Sequence, residues 1–125
     1  MSSERRARPE FLNVDLDIRS HTGIEQLLEP IAGSAIQLHK TRESVSLELI
    51  EDFASVEEAI SRWLDLIETL PTPAREIWNR CESRSLNVGI KAGNEPHAAC
   101  FAISSAAISR LAIQNLEIIF TVYAH

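Results

Sequence analysis

The hydrophobic period of this chain switches from two to about 3.6 and back, three times within 125 residues. Leu12, Val14, Leu16 and Ile18 alternate with Asn13, Asp15, Asp17 and Arg19, and Ile24, Leu27, Leu28 and Ile31 then fall at helical spacing. Alternation sends successive side chains to opposite faces of a strand, whereas spacings of three and four stack them along one side of a helix. Similar switches recur around residues 50–90 and 103–124. Such a pattern asks for helices packed on a sheet that has one apolar face.

The first strand is expected over about residues 11–19, with Leu12, Val14, Leu16 and Ile18 on its buried face. Thr22 and Glu25 form a capping-box pattern, and Gly33 is a suitable C′ residue, so a first helix is expected over 23–32, limited by Pro30. Ile36 and Leu38 occupy even positions but Val45, Leu47 and Leu49 odd ones. A continuous ladder cannot change phase, so residues 41–44 are read as a hairpin turn. Ser55 and Glu58 make a second capping box before Val56, Ala59, Ile60, Trp63, Leu64, Ile67 and Leu70, a strongly amphipathic helix of four turns. Pro71-Thr72-Pro73 stops it, and Thr72 as N-cap with Pro73 at N1 starts another carrying Ile77 and Trp78.

Leu86, Val88 and Ile90 then alternate with Ser85, Asn87, Gly89 and Lys91. Gly93-Asn94-Glu95-Pro96 supplies a turn, and residues 97–103 are expected to return as a strand, giving a second hairpin. Ser104 is the expected N-cap of a last helix, with Ile103 and Ile108 placed as a hydrophobic staple and Asn115 as its stop. A final strand carries Ile118, Phe120 and Val122 in alternation with Ile119, Thr121 and Tyr123. The expected order is βαββαββαβ: an α+β fold with a mostly antiparallel six-stranded sheet, helices on one face, and a ferredoxin-like core unit in its first part. Residues 1–10 read as a flexible tail and 11–125 as one domain, a length suited to a single core.

Net charge is −6, and the basic residues are scattered apart from Arg5, Arg6 and Arg8. A broad basic face is excluded, which argues against nucleic acid and anionic membrane as partners. The N-terminus lacks the apolar run of a signal peptide and no segment is long enough to span a bilayer, so the expected location is cytoplasmic. Cys81 and Cys100 form no Cys-x-x-Cys pair and no disulfide framework. Cys100, between Ala99 and Phe101, is expected as a small buried thiol in a strand.

Chemistry is sparse. Asp15 and Asp17 point the same way from one strand, roughly 6.5–7 Å apart at the backbone, a separation a divalent ion can bridge. Solvated strand residues are the better reading, since Arg19 and Lys91 can balance the charge without a ligand. His21, His39, His97 and His125 have no helical metal spacing, and there is no nucleophile elbow, phosphate loop or dinucleotide fingerprint. No catalytic residue, metal site or cofactor is therefore expected. Asn87, Lys91 and Tyr123 share the polar sheet face with the aspartates. Glu95 and His97 flank a turn at a sheet end, where contacts with a partner or ligand are commonly placed.

Three short pieces, Phe11-Leu12-Asn13-Val14-Asp15-Leu16-Asp17, Asn87-Val88-Gly89 with Gly93-Asn94-Glu95-Pro96-His97, and Phe120-Thr121-Val122-Tyr123, resemble a group of small uncharacterised bacterial proteins. That resemblance implies a single domain and transfers no activity, cofactor or catalytic residue. The expectation is a non-enzymatic interaction protein, accessory, regulatory or immunity-type, which pairs with another protein or with itself as a homodimer. The alternative is a small-molecule binder or enzyme working on the polar sheet face, with Asp15, Asp17, Asn87, Lys91 and Tyr123 as contacts.

Overall fold

The computed structural model describes residues 7–95 and 98–125. They form five strands and four helices, β1 (Glu10–Arg19), α1 (Ile24–Leu28), β2 (Ala35–Lys40), β3 (Ser44–Leu49), α2 (Val56–Glu68), α3 (Thr72–Arg80), β4 (Ser83–Lys91), α4 (Ser105–Ile113) and β5 (Glu117–Tyr123). The α+β class and the mostly antiparallel sheet agree with the sequence, while the strand count and the element order do not. One five-stranded sheet has the order β2-β3-β1-β4-β5. Its first three pairings are antiparallel, and β5 lies parallel to β4.

Among the described residues the sixth strand expected over 97–103 does not form. Pro96 and His97 lie outside those residues, and 98–104 join no ladder. Phe101 and Ile103 still pack against the core, so the alternating pattern reflects burial without strand pairing. Cys100, expected buried, is exposed in this segment, whereas Cys81 is buried. The chain uses 98–104 to climb to α4, and β5 returns beside β4 in the same direction. A βαβ crossover therefore replaces the expected hairpin.

Alternation sets the two sheet faces. Val14, Leu16 and Ile18 of β1, Val45, Leu47 and Leu49 of β3 and Leu86, Val88 and Ile90 of β4 are buried in one cluster with the apolar stripes of the helices. Trp63 and Trp78 are its largest members, and each indole N–H is satisfied, Trp63 Nε1 donating to Val14 O at 2.8 Å and Trp78 Nε1 to Gln114 O at 3.2 Å. A buried indole left unpaired would forfeit on the order of 1–3 kcal/mol, so these bonds fix α2 over β1 and α3 beside the end of α4.

Local chemistry explains the helix ends. Ser55 Oγ accepts from Glu58 N at 3.2 Å and Ser104 Oγ from Ala107 N at 3.1 Å, the two caps expected from sequence. Asn115 adopts φ 54° and closes α4 through Leu116 N to Leu111 O and Asn115 N to Ala112 O, a Schellman arrangement. The third helix begins one residue earlier than expected, with Pro71 as its N-cap and Thr72 at its first position. The first helix is shorter than expected, and Thr22 does not cap it. Gly23, at φ 82°, is the N-cap, and a Cβ there would lie 2.7 Å from Ile77 Cδ1. That close approach seats α1 on α3.

Two bulges correct the reading of side-chain direction. The register of β1 against β4 shifts between Phe11 and Asn13, so Phe11 faces Ile90 and Leu12 is the extra residue, 44% exposed instead of buried. A second shift in β2, between Gln37 and His39, makes Leu38 the extra residue opposite β3.

Candidate functional site

The face of the sheet turned away from the helices is built in rows, and the registers fix which residues are neighbours. Glu48, Asp15, Asn87 and Ile119 form one row across β3, β1, β4 and β5, with Ser46, Asp17, Ser85 and Glu117 beside it. Most polar groups here have partners within the sheet. Ser46 Oγ donates to Asp17 Oδ1 at 2.5 Å, Asn13 Nδ2 to Glu48 Oε1 at 3.2 Å, and Thr121 Oγ1 to Asn87 Oδ1 at 2.8 Å.

Asp15 differs from its neighbours. Its Oδ1 is buried and accepts no hydrogen bond. Burial, then the negative charge of Glu48, then that of Asp17, push its pKa up from 3.8 to about 6. Glu48 escaped the sequence reading because its place depends on strand pairing. Its odd-even relation to Val45, Leu47 and Leu49 put it on the polar face, but only the β1–β3 register sets it against Asp15.

The structure separates the other candidates. Lys91 lies at the end of β4, opposite Glu10 and Tyr123 and four residues along from the partner of Asp15, while Arg19 reaches Glu43 at 3.7 Å. Neither cation is held against the aspartates. Gly89 leaves room for its neighbours, since a Cβ there would lie 2.8 Å from Asn13 Oδ1 and 3.6 Å from Tyr123 Cε2. Tyr123 and Asn13 thus lie close over β4 at Gly89, where a larger residue would require the Asn13 amide to move. Glu95 sits away from the face, in a turn whose backbone N–H donates to Ala7 O at 3.0 Å. His97 lies outside the described residues.

A cleft of about 160 Å³ opens beside this face, lined by Phe11, Leu12, Asn13, Glu48, Asp52 and Phe53 among others. Asp15, Asp17, Asn87, Lys91 and Tyr123 are not among its walls. Among the described residues no group of three or more His, Cys, Asp or Glu side chains is arranged to hold a metal ion. No helix among them is long and apolar enough to cross a membrane.

The other distinctive surface is the edge formed by β5. All seven of its residues pair with β4 in unbroken register, and among the described residues no strand pairs with its outer side. Both of its side-chain rows carry exposed apolar groups, Ile119 and Tyr123 on the polar face and Phe120 and Val122 on the helix side. The exposure of Phe120 and Val122 is not readable from alternation, because a strand at an edge has a helix-side face that the helices only partly cover.

Comparison with known proteins gives no match to a family model, a curated protein or a solved structure.

Proposed function

We propose that this protein is a non-enzymatic interaction module that engages a partner chain by strand addition along β5. One observation carries the reading: among the described residues no strand pairs with the outer side of β5. Exposed edge strands template pairing with other chains, and proteins that avoid this use bulges, lysines, prolines or a covering segment. The segment Glu117-Ile-Ile-Phe-Thr-Val-Tyr123 has no bulge, no proline and no basic residue. Main-chain hydrogen bonds along such an edge supply affinity, and the alternate side chains supply selectivity.

The order β2-β3-β1-β4 supports a ferredoxin-like core, to which α4 and β5 are added as one further unit. In this reading the added unit is what converts the core into a binding module, since without it β4 would be the edge. The setting we propose is cytoplasmic, in keeping with two free thiols, Cys81 and Cys100. A photo-crosslinking amino acid at position 120, compared in cells with the same group at position 36 on β2, tests the proposal. Protein adducts at 120 and none at 36 are expected; no adduct at 120, or equal adducts at both, would overturn it.

Asp15 favours a second reading, in which the polar face takes a small cationic ligand. Its unpartnered Oδ1 is the observation behind it. Stabilisation of the wild type but not of Asp15→Asn by simple amines, read as a melting shift, would support that reading; equal shifts in both would remove it.

A further inference from the structure

We infer that the partner on β5 is a second copy of this chain, docked about a two-fold axis through Phe120 so that the two sheets become continuous and α4 packs against its own copy. This rests on the β5 reading above and names its occupant. The evidence comes from α4 and β5 together. The helix Ser105-Ala-Ala-Ile-Ser-Arg-Leu-Ala-Ile113 has one charged residue, Arg110, which is committed to α2 through Asp65 at 2.8 Å and Glu68 at 2.7 Å. Ala107 and Leu111 are its buried residues, leaving Ile108 55% and Ile113 72% exposed. A helix at a solvated surface ordinarily carries a polar outer face. The exposed positions of α4 are Ser105, Ala106, Ile108, Ser109, Ala112 and Ile113, small or apolar and without charge.

The strand beside it is self-complementary. Pairing β5 antiparallel with its copy about Phe120 uses all seven residues and sets Phe120 on Phe120, Ile118 on Val122, Ile119 on Thr121 and Glu117 on Tyr123. Opposed residues share a face, so apolar groups meet apolar groups or a threonine. The only charge on the strand, Glu117, meets a phenol and not a second carboxylate. In a chain of net charge −6, an edge with a single charge adds little to the repulsion between like-charged copies.

The two layers also agree in geometry. Phe120 and Val122 lie opposite Val88 and Ile90, whose side chains are buried under the helices, so they face the layer that contains α4. A two-fold axis normal to the sheet keeps both helical layers on one side and brings the two α4 helices towards each other over the new strand pair. Phe120 and Val122 on the helix side, with Ile108 on α4, and Ile119 and Tyr123 on the polar side offer exposed apolar side chain on both faces of the new strand pair. A standard interface takes about 800 Å² per partner, to which the paired backbone also contributes.

The test uses the full chain with Cys100→Ser to remove the exposed native thiol. Phe120→Cys in this background opposes its own copy across the axis and is expected to form a disulfide-linked dimer under mild oxidation by copper-phenanthroline; Ile36→Cys on β2 is expected to stay monomeric. Sedimentation of the unmodified protein should give twice the chain mass. Val122→Lys and Ile113→Lys, each with an unchanged circular-dichroism spectrum, should weaken self-association by on the order of 100-fold. A chain mass of one at sub-millimolar concentration, with no Phe120→Cys crosslink, overturns the second copy as occupant. A photo-adduct at position 120 with a different protein would then leave the edge reading standing, and its absence would end both.

Discussion

Both edges of this sheet expose large apolar side chains, two on β2 and four on β5, and they differ in how they present them. Ile36 and Leu38 on β2 are half exposed, as Phe120 and Tyr123 are on β5. Yet β2 is interrupted by a bulge between Gln37 and His39 and ends in Lys40, which forms an ion pair with Glu25 of α1. β5 runs unbroken for seven residues with Glu117 as its one charge. The edges therefore differ in regularity as well as in apolar exposure. A second strand needs a regular row of main-chain donors and acceptors, which the bulge disrupts in β2 and nothing disrupts in β5.

The largest expected effect breaks both edges at once. Trp63 fills the centre of the core and bonds Val14 O on the central strand. Its replacement by alanine should cost about 3–5 kcal/mol and lower hydrogen-exchange protection in β2 and β5 alike. Protection lost from one edge only would show that the two are not supported by a common core. Phe120→Lys should separate them, abolishing self-association on the order of 100-fold while changing monomer stability by less than about 0.5 kcal/mol, measured by sedimentation and urea melts.

Asp15 lies between the edges and should titrate without affecting either. Its folded-state pKa is raised from 3.8 to about 6, so the fold favours the neutral acid. The stabilisation is fully present below pH 3.8 and is lost as pH rises through about 6. Because Asp15 is only partly buried, screening reduces the effect to about 1–2 kcal/mol. Asp15→Asn should therefore be the more stable protein at neutral pH by about that amount, with the difference shrinking towards pH 4, and urea melts across this range check it. The smallest effect is expected at Leu38, the bulge residue, where Leu38→Lys should change stability by less than about 0.5 kcal/mol and leave the oligomeric state unchanged.

What was legible in the sequence was local and periodic. All six residues that α2 buries lie on the stripe read from spacing, and its Ser55 cap and the Ser104 cap of α4 formed as expected. What was not legible depended on a partner strand. Residues 98–103 alternate because Phe101 and Ile103 pack against the core from a segment that joins no strand ladder, a pattern identical in sequence to that of a strand. Leu12 sits in an apolar alternation but is pushed out by a bulge that only the pairing with β4 defines. The site was half readable for the same reason. Asp15 and Asp17 share a face by alternation, but the burial and the Glu48 charge that perturb Asp15 come from the β3 register. The capping box at Thr22 failed because Gly23 takes a left-handed conformation to let α1 meet Ile77, a tertiary demand that overrides the local signal.

The most direct measurement is residue-resolved amide hydrogen exchange on the full chain at micromolar and sub-millimolar concentration. Protection along β5 should rise with concentration while protection along β2 stays the same. Equal, concentration-independent protection at both edges would contradict pairing along β5.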